Sequence, residues 1–297
     1  MLNAFTSPGS FLRGNLHCHS SRSDGDPTPE RVCAFYRRAG YDFISLTDHF
    51  MERFGFPLVD TTAYRDDGFT TLIGAELHAP QLANGETWHL LANGLPLDFA
   101  QPGDDETAAQ LARRALDAGA FVTLAHPGWY GLTVEDATAL PPVHAVEVFN
   151  SMCDWETGRG AGDYLLDQLV DRGQPLGALA TDDAHRYQGE TCRGWVMVKA
   201  TENTPEAILA ALKAGAYYAS QGPQIHHVDF EGDGLSVETS PVDSVWLIGQ
   251  GARTAVVMGD GVTHARLPLD RFAGGWARLV IGDRAGLRAW SNPFKVA

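Results

Sequence analysis

The sequence predicts an α/β fold, one α/β barrel followed by a small all-β domain, on three observations. The 297 residues exceed a typical single domain but match the size of an α/β barrel with an appendage. Between residues 13 and about 220, short apolar runs alternate with helical stretches, the pattern of repeated β/α units. After Ser220-Gln221-Gly222-Pro223 the helical signal ends, and strand-like runs are broken by Gly-Asp, Gly-Gln-Gly, Gly-Asp-Gly and Gly-Gly turns. The expected division is a barrel domain over 1–221 and a β-sandwich-like domain over 222–297.

Apolar runs place strands at 14–18, 43–47, 71–75, 87–92, 121–125, 145–149, 176–181 and 195–198. The first helix is expected over 29–39, with Thr28 as N-cap, Pro29 in the first turn and Gly40 as its stop. Further helices are expected over 105–118, stopped by Gly119, about 162–171, stopped near Gly173, and 204–214. The last opens on Thr204-Pro205-Glu206 and closes at Gly215, whereas Gly158-Arg159-Gly160-Ala161-Gly162 reads as a loop. No internal repeat or low-complexity stretch interrupts the pattern.

Composition narrows the class. Hydrophobic residues make up 44% and charged residues 20%, with no apolar run of membrane-spanning length, so a soluble globular protein is favoured. The N-terminus lacks the basic start and apolar stretch of a secretory signal, and Cys18, Cys33, Cys153 and Cys192 lack disulfide-scaffold spacing. A cytoplasmic protein with reduced thiols is expected. A formal charge of -15 disfavours extended nucleic acid or a membrane surface as partner, but bound divalent ions would make the local field positive enough for a small anion.

His17 and His19 carry the strongest chemical signal. A His-x-His pair ending an apolar strand turns both imidazoles to one face, suited to a metal ion, and alternation turns Cys18 to the other. Asp48 and His49 follow the second strand and Glu76 the third; the fourth carries His89, His126 ends the fifth, and Asp183 and His185 follow 176–181. In a barrel of parallel strands, side chains at those C-terminal ends converge around the axis. Each residue alone has an ordinary explanation, as a core or surface histidine, a turn or a helix cap. Six histidines with carboxylates at successive strand ends do not. Imidazole and carboxylate donors without thiolate suit zinc, manganese or iron rather than calcium, without separating the three. Six histidines also exceed what one catalytic ion with open positions needs, and Glu76 can bridge two ions.

The segments His17-x-His19 with Ser23-Asp24-Gly25, Thr47-Asp48-His49, Gly74-Ala75-Glu76, His89, Ala125-His126-Pro127 and Thr181-Asp182-Asp183-Ala184-His185 resemble the polymerase and histidinol phosphatase (PHP) family, in its branch of metal-dependent phosphoesterases. The resemblance covers roughly residues 13–220 and implies a distorted (β/α)7 barrel with a three-metal cluster. It implies one ion on His17, His19, Glu76 and Asp183, a second on Glu76, His89 and His126, and a third on Asp24, His49 and His185. Asp48 is then expected to orient a ligand imidazole. The doubled Asp182-Asp183 offers two candidate ligands, of which Asp183 keeps the Asp-x-His spacing; His78 is an extra histidine for the pocket, the core or the surface. The tail resembles β modules attached to some PHP proteins, and His226, His227 and His264 are expected to be structural there.

The resemblance implies hydrolysis of a small phosphomonoester or phosphodiester by metal-activated hydroxide, with two to three divalent ions of zinc, manganese or iron. The hydroxide is expected between the ions sharing Glu76, the remaining ion neutralises phosphate charge, and Asp183 or a neighbouring histidine such as His185 manages the proton. Arg22, Arg186 and Arg193, close in sequence to ligand segments, are candidate phosphate contacts, and Asn150 ends a strand on the same rim. An amidohydrolase barrel also opens with His-x-His, but Asp24, His49 and Asp183-x-His185 fit a third ion better than a binuclear site. A metal-stabilised binding module without turnover is the other rival, and the full ligand set argues against it. The leaving group depends on loops 51–67 and 151–162, whose shape the sequence does not specify.

Overall fold

The computed structural model describes residues 2–297. Its strands, in chain order, are β1 (Ser10–Asn15), β2 (Phe43–Leu46), β3 (His49–Phe50), β4 (Thr70–Ala79), β5 (Trp88–Asn93), β6 (Phe121–Leu124), β7 (Ala145–Asn150), β8 (Gly177–Thr181), β9 (Trp195–Ala200), β10 (Tyr217–Ser220), β11 (Ile225–Glu231), β12 (Gly234–Gly249), β13 (Thr254–Pro268), β14 (Trp276–Gly282), β15 (Arg288–Ser291) and β16 (Phe294–Lys295). The helices are α1 (Asn3–Thr6), α2 (Pro29–Arg38), α3 (Ala108–Asp117), α4 (Pro127–Tyr130), α5 (Val134–Ala139), α6 (Ser151–Thr157), α7 (Asp163–Asp171) and α8 (Pro205–Lys213). None of them is long and apolar enough to cross a membrane.

All strands belong to one mixed sheet, and the half carrying the predicted ligands runs β1-β2-β4-β5-β6-β7-β8. Neighbours there pair parallel except β5, which is antiparallel to both β4 and β6. The all-parallel expectation fails at β5 for a simple reason. The connection 80–87 is shorter than the crossover of about a dozen residues that a parallel pair needs, so β5 returns as a hairpin partner of β4. That reversal sets His89, at the start of β5, opposite His78 near the end of β4. Beyond the strand ends the run meets its own beginning: Cys18 bridges Ala184 in parallel, the His19 N–H donates to the Ala184 carbonyl at 2.9 Å, and the Asp183 N–H to that of His17 at 2.8 Å.

On its other edge β1 pairs antiparallel with β9, and the sheet continues through β10, β15, β14 and β12 to β11, with β13 also on β12. Pairing of β10 with β15 therefore hydrogen-bonds the C-terminal strands to the rest of the sheet. One apolar core lies between the site-bearing strands and α3, α5 and α7, and a second lies beneath β11 to β14.

Helix starts follow their caps. Thr107 and Gln110 form a capping box, so α3 begins at Ala108 rather than at 105. Thr204 caps α8 as expected, whereas Thr28 occupies the N-cap of α2 without a side-chain hydrogen bond. Two short helices lie in stretches that read as connections: α5 has its own capping box, Thr133 with Asp136, and α6 is capped by Asn150.

The helix α7 also anchors the C-terminal strands. Asp163, Asp167 and Asp171, spaced four apart, share one helix face. Arg278 of β14, 2% exposed, donates from Nε and Nη2 to Asp167 at 2.6 and 2.8 Å, and Trp276 Nε1 donates to Asp171 at 2.7 Å. Asp167→Ala leaves the guanidinium buried with only Asp163 nearby, at 3.8 Å. The expected cost is about 3 kcal/mol, read as a lower urea midpoint at unchanged slope; an unshifted midpoint would refute the anchor.

Candidate metal centre

The ligands implied by the resemblance gather at one rim. Buried Glu76, on β4, lies at the middle: its Oε1 is 2.7 Å from His89 Nδ1 and 3.1 Å from His126 Nε2, and its Oε2 is 2.6 Å from His49 Nδ1. His17 Nε2 and His19 Nε2 lie 3.7 and 3.6 Å from Oε2, and 3.1 and 3.0 Å from Asp183 Oδ1. Asp24 Oδ1 is 3.4 Å from both His49 Nε2 and His185 Nε2. Five overlapping groupings of potential ligand atoms result: His17 and His19 with Glu76, Glu76 with His89 and His126, Asp24 with His19, His49 and His185, His17 and His126 with Asp183, and Glu76 with His49 and His78. His78 joins them as a buried neighbour, its Nε2 2.9 Å from His49 Nδ1. Cys18 is turned away, its thiol donating to the Ser45 carbonyl.

Local backbone conformation aims these groups. His126 and Asp183 adopt φ of 24° and 54°, in the left-handed region that non-glycine residues rarely occupy outside functional sites. Gly25 packs against the His19 backbone so closely that an added Cβ would lie 2.6 Å from the His19 carbonyl carbon, which lets the turn carrying Asp24 close over the cluster.

A second layer of polar groups holds the first. Fully buried Glu147 accepts from His17 Nδ1 at 2.8 Å, the His126 N–H at 2.7 Å, Asn150 Nδ2 at 2.9 Å and Thr181 Oγ1 at 2.6 Å. Orienting a ligand imidazole is the role expected of Asp48, but Asp48 accepts from Ser20 N–H, Ser20 Oγ and Ser23 Oγ and so ties down the loop before Asp24, and it is Glu147 that orients His17. Asn150 Nδ2 also donates to Asp183 Oδ2 at 3.1 Å while its Oδ1 caps α6, so the buried amide is committed to positioning. The two adjacent aspartates split cleanly: Asp183 faces the cluster, and Asp182 accepts from Tyr36 and the N–H groups of Cys192, Arg193 and Gly194.

A cavity of ≈ 430 Å³ opens over the cluster. Asp24, His49, Glu76, His78, His89, His126, Asp183 and His185 line it together with Arg53, Trp129, Met152 and Glu156. The one arginine or lysine in its lining is Arg53, which had no signal in sequence beyond lying just past Asp48-His49. The arginines expected from sequence lie outside the lining: Arg22 is exposed, Arg186 pairs with Glu156 at 3.3 Å and Arg193 with Asp154 at 3.3 Å.

The fold has a solved counterpart. A two-domain protein from Bacteroides vulgatus, described as containing a predicted PHP-like metal-dependent phosphoesterase, aligns over 94% of this chain and 94% of its own, at TM-score 0.53 and 20% identity. The likeness shows a mixed α/β fold on a large sheet. An amidohydrolase from Chromobacterium violaceum with bound sulfate aligns over 60% of this chain and 89% of its own, at TM-score 0.41 and 16% identity. The family DUF3604, of unknown function, matches residues 170–272, a stretch that includes Asp183 and His185. No curated protein matches the chain.

The donor atoms themselves fit a cation. His17 Nε2, His19 Nε2, Glu76 Oε2 and Asp183 Oδ1 are all buried without a hydrogen-bond partner, and they face one another. Such orphaned groups cost about 1–3 kcal/mol each unless something satisfies them. Two donors 2.0–2.2 Å from a tetrahedral ion lie roughly 3.4 Å apart, within the spread of these contacts. Charges are shared without an ion through protons: against opposing burial, Glu76 and Asp24 lift the His49 pKa to about 10, and Asp183 and Glu147 raise that of His17. Burial, helped by His185 and His49, pushes His19 down to about 3, so it stays a neutral donor.

Proposed function

We propose that the chain is a PHP-type metal-dependent phosphoesterase, a distorted (β/α)7 barrel over 1–221 with an all-β domain over 222–297, acting on a small phosphomonoester or phosphodiester in the cytoplasm. The observation that carries this reading is the set of buried, partnerless donor atoms converging from the segment after β1, from β4 and from the segment after β8. Two to three zinc, manganese or iron ions are the cofactors proposed, on His17, His19, Asp24, His49, Glu76, His89, His126, Asp183 and His185. Bound there, they supply Lewis acidity and an acidified water.

The chain's own part is to bind, orient and move protons. Asp183 and His185 border the cavity, which supports assigning them the handling of a proton during hydrolysis. Arg53 offers a guanidinium fork for phosphate within the cavity lining, which Arg22, Arg186 and Arg193 do not join. The cavity volume suits a single small ligand rather than extended nucleic acid.

The test is metal analysis of the purified protein with parallel panels of phosphomonoesters, phosphodiesters and amides. Bound transition metal with phosphoester turnover is expected; amide hydrolysis without phosphoester turnover would transfer the chain to the amidohydrolase reading. With a phosphoester in hand, Arg53→Ala should raise KM roughly 10-fold or more with a smaller change in kcat, as loss of one charge-assisted phosphate contact implies. Partial recovery in Arg53→Lys would support the contact, and an unmoved KM would remove Arg53 from substrate binding.

A further inference from the structure

We propose that buried His78, to which the PHP resemblance gives no part, is a positioning residue: it accepts a hydrogen bond from His49 Nδ1 and so fixes the lone pair of His49 on Nε2, the nitrogen facing Asp24 and His185. The inference rests on the metal-centre reading above and not on the choice of substrate. Strand geometry makes the pair. His49 of β3 is in parallel register with Glu76 of β4, and His78 lies two residues farther along β4, so alternation puts Glu76 and His78 on one face. There His49 Nδ1 is 2.9 Å from His78 Nε2.

A neutral imidazole carries one N–H and one lone pair, so a ring that ligates through one nitrogen needs an acceptor at the other. Two histidines of the cluster meet that condition with groups that only accept. His17 Nδ1 donates to the Glu147 carboxylate and His185 Nδ1 to the Asp183 carbonyl, each at 2.8 Å. Their Nε2 atoms then face carboxylates of the cluster, His17 towards Asp183 at 3.1 Å and His185 towards Asp24 at 3.4 Å. His49 repeats the arrangement, with Nε2 3.4 Å from Asp24 Oδ1 and His78 as the acceptor behind it.

Glu76 is the rival acceptor, since its Oε2 is 2.6 Å from the same nitrogen. That oxygen nevertheless has no hydrogen-bond partner and so lies off the N–H axis, free to face His17 and His19. Phe54 stacks on the His49 ring at 6.1 Å and 15°. A half-turn of the ring keeps that stack but exchanges Nδ1 for Cδ2, so the stack does not choose between the two orientations and the bond to His78 does. Packing alone does not account for a histidine at this position. With Nε2 accepting, the His78 proton sits on Nδ1, which is buried without a partner. An apolar side chain would fill the space without stranding an N–H.

The experiment compares His78→Gln, which keeps an acceptor near the position of Nε2, with His78→Met, which keeps the length and removes the acceptor. Full-length, zinc-loaded protein is used throughout. Two-bond proton–nitrogen correlation spectra should show the His49 proton on Nδ1 in the wild type and in His78→Gln. Competition against a chromophoric chelator should show zinc bound roughly 10-fold or more weakly by His78→Met, with His78→Gln close to the wild type. Equal loss in both variants would make His78 a packing residue and overturn the proposal, as would no loss in either or a His49 proton on Nε2. A wild type that binds no zinc would overturn the metal centre and this inference together. One that gives the expected spectra and affinities but hydrolyses no phosphoester would overturn the phosphoesterase reading alone.

Discussion

Glu76→Ala is expected to abolish phosphoester hydrolysis and to empty most of the metal centre while leaving the fold in place. Glu76 lies at the middle of the cluster, its Oε1 towards His89 and His126 and its Oε2 towards His49, His17 and His19. Without it only Asp24 and Asp183 remain among the implied ligands to balance cationic charge, and His89 with His126 is left without any carboxylate. The same charge holds the ion-free site together. Burial alone would raise the Glu76 pKa, but His49 and His89, then His126 and His17, keep it well below the usual carboxylate range. In Glu76→Ala the His49 pKa should fall from about 10 towards its ordinary value, since Glu76 is the largest of the influences raising it. Elemental analysis, turnover and histidine NMR titration read the three effects, and circular dichroism confirms the fold. A variant that keeps its full metal content and activity would sink both the bridging role and the function proposed.

The residues that gather around Glu76 were legible in sequence because each belongs to a short local signal, such as His17-x-His19 or Asp183-x-His185 at the end of an apolar run. What was not legible depends on relations between segments. Strand β5 runs antiparallel because its connection is short, so His89 reaches the rim from a strand's start rather than its end. A register shift between Glu147 and Phe149 re-phases β7, and Glu147 and Asn150, three residues apart, consequently share a face. Strict alternation would have separated them, which is why Asn150 read as a rim residue and Glu147 as part of the strand. Arginine roles were least readable of all. Arg186 and Arg193 are paired with acids on α6, a helix whose short length hides its period, while Arg53 reaches the cavity from the loop after His49.

Glu147→Gln tests the part that sequence reasoning missed. All four partners of Glu147 present donors to it: the His17 ring and Thr181 hydroxyl at Oε1, the His126 N–H and Asn150 amide at Oε2. A glutamine of the same size must turn its NH2 group towards one pair or the other. His17 then loses the acceptor that fixes its ring, or His126 loses the one that fixes its backbone in the left-handed region. Losses of this kind cost roughly 10–100-fold in metal affinity or activity. The pH dependence has a definite sign. Burial opposes ionisation of Glu147, but His17 and His126 outweigh it and depress its pKa, so the stability it contributes is present above the ordinary glutamate value and is lost as pH falls through the depressed one. Glu147→Gln removes that acid-side loss. Metal dissociation constants, together with urea midpoints at neutral and acid pH, separate the two effects. If the variant binds metal as the wild type does and keeps its acid sensitivity, Glu147 is a bystander and the orientation of His17 has another source.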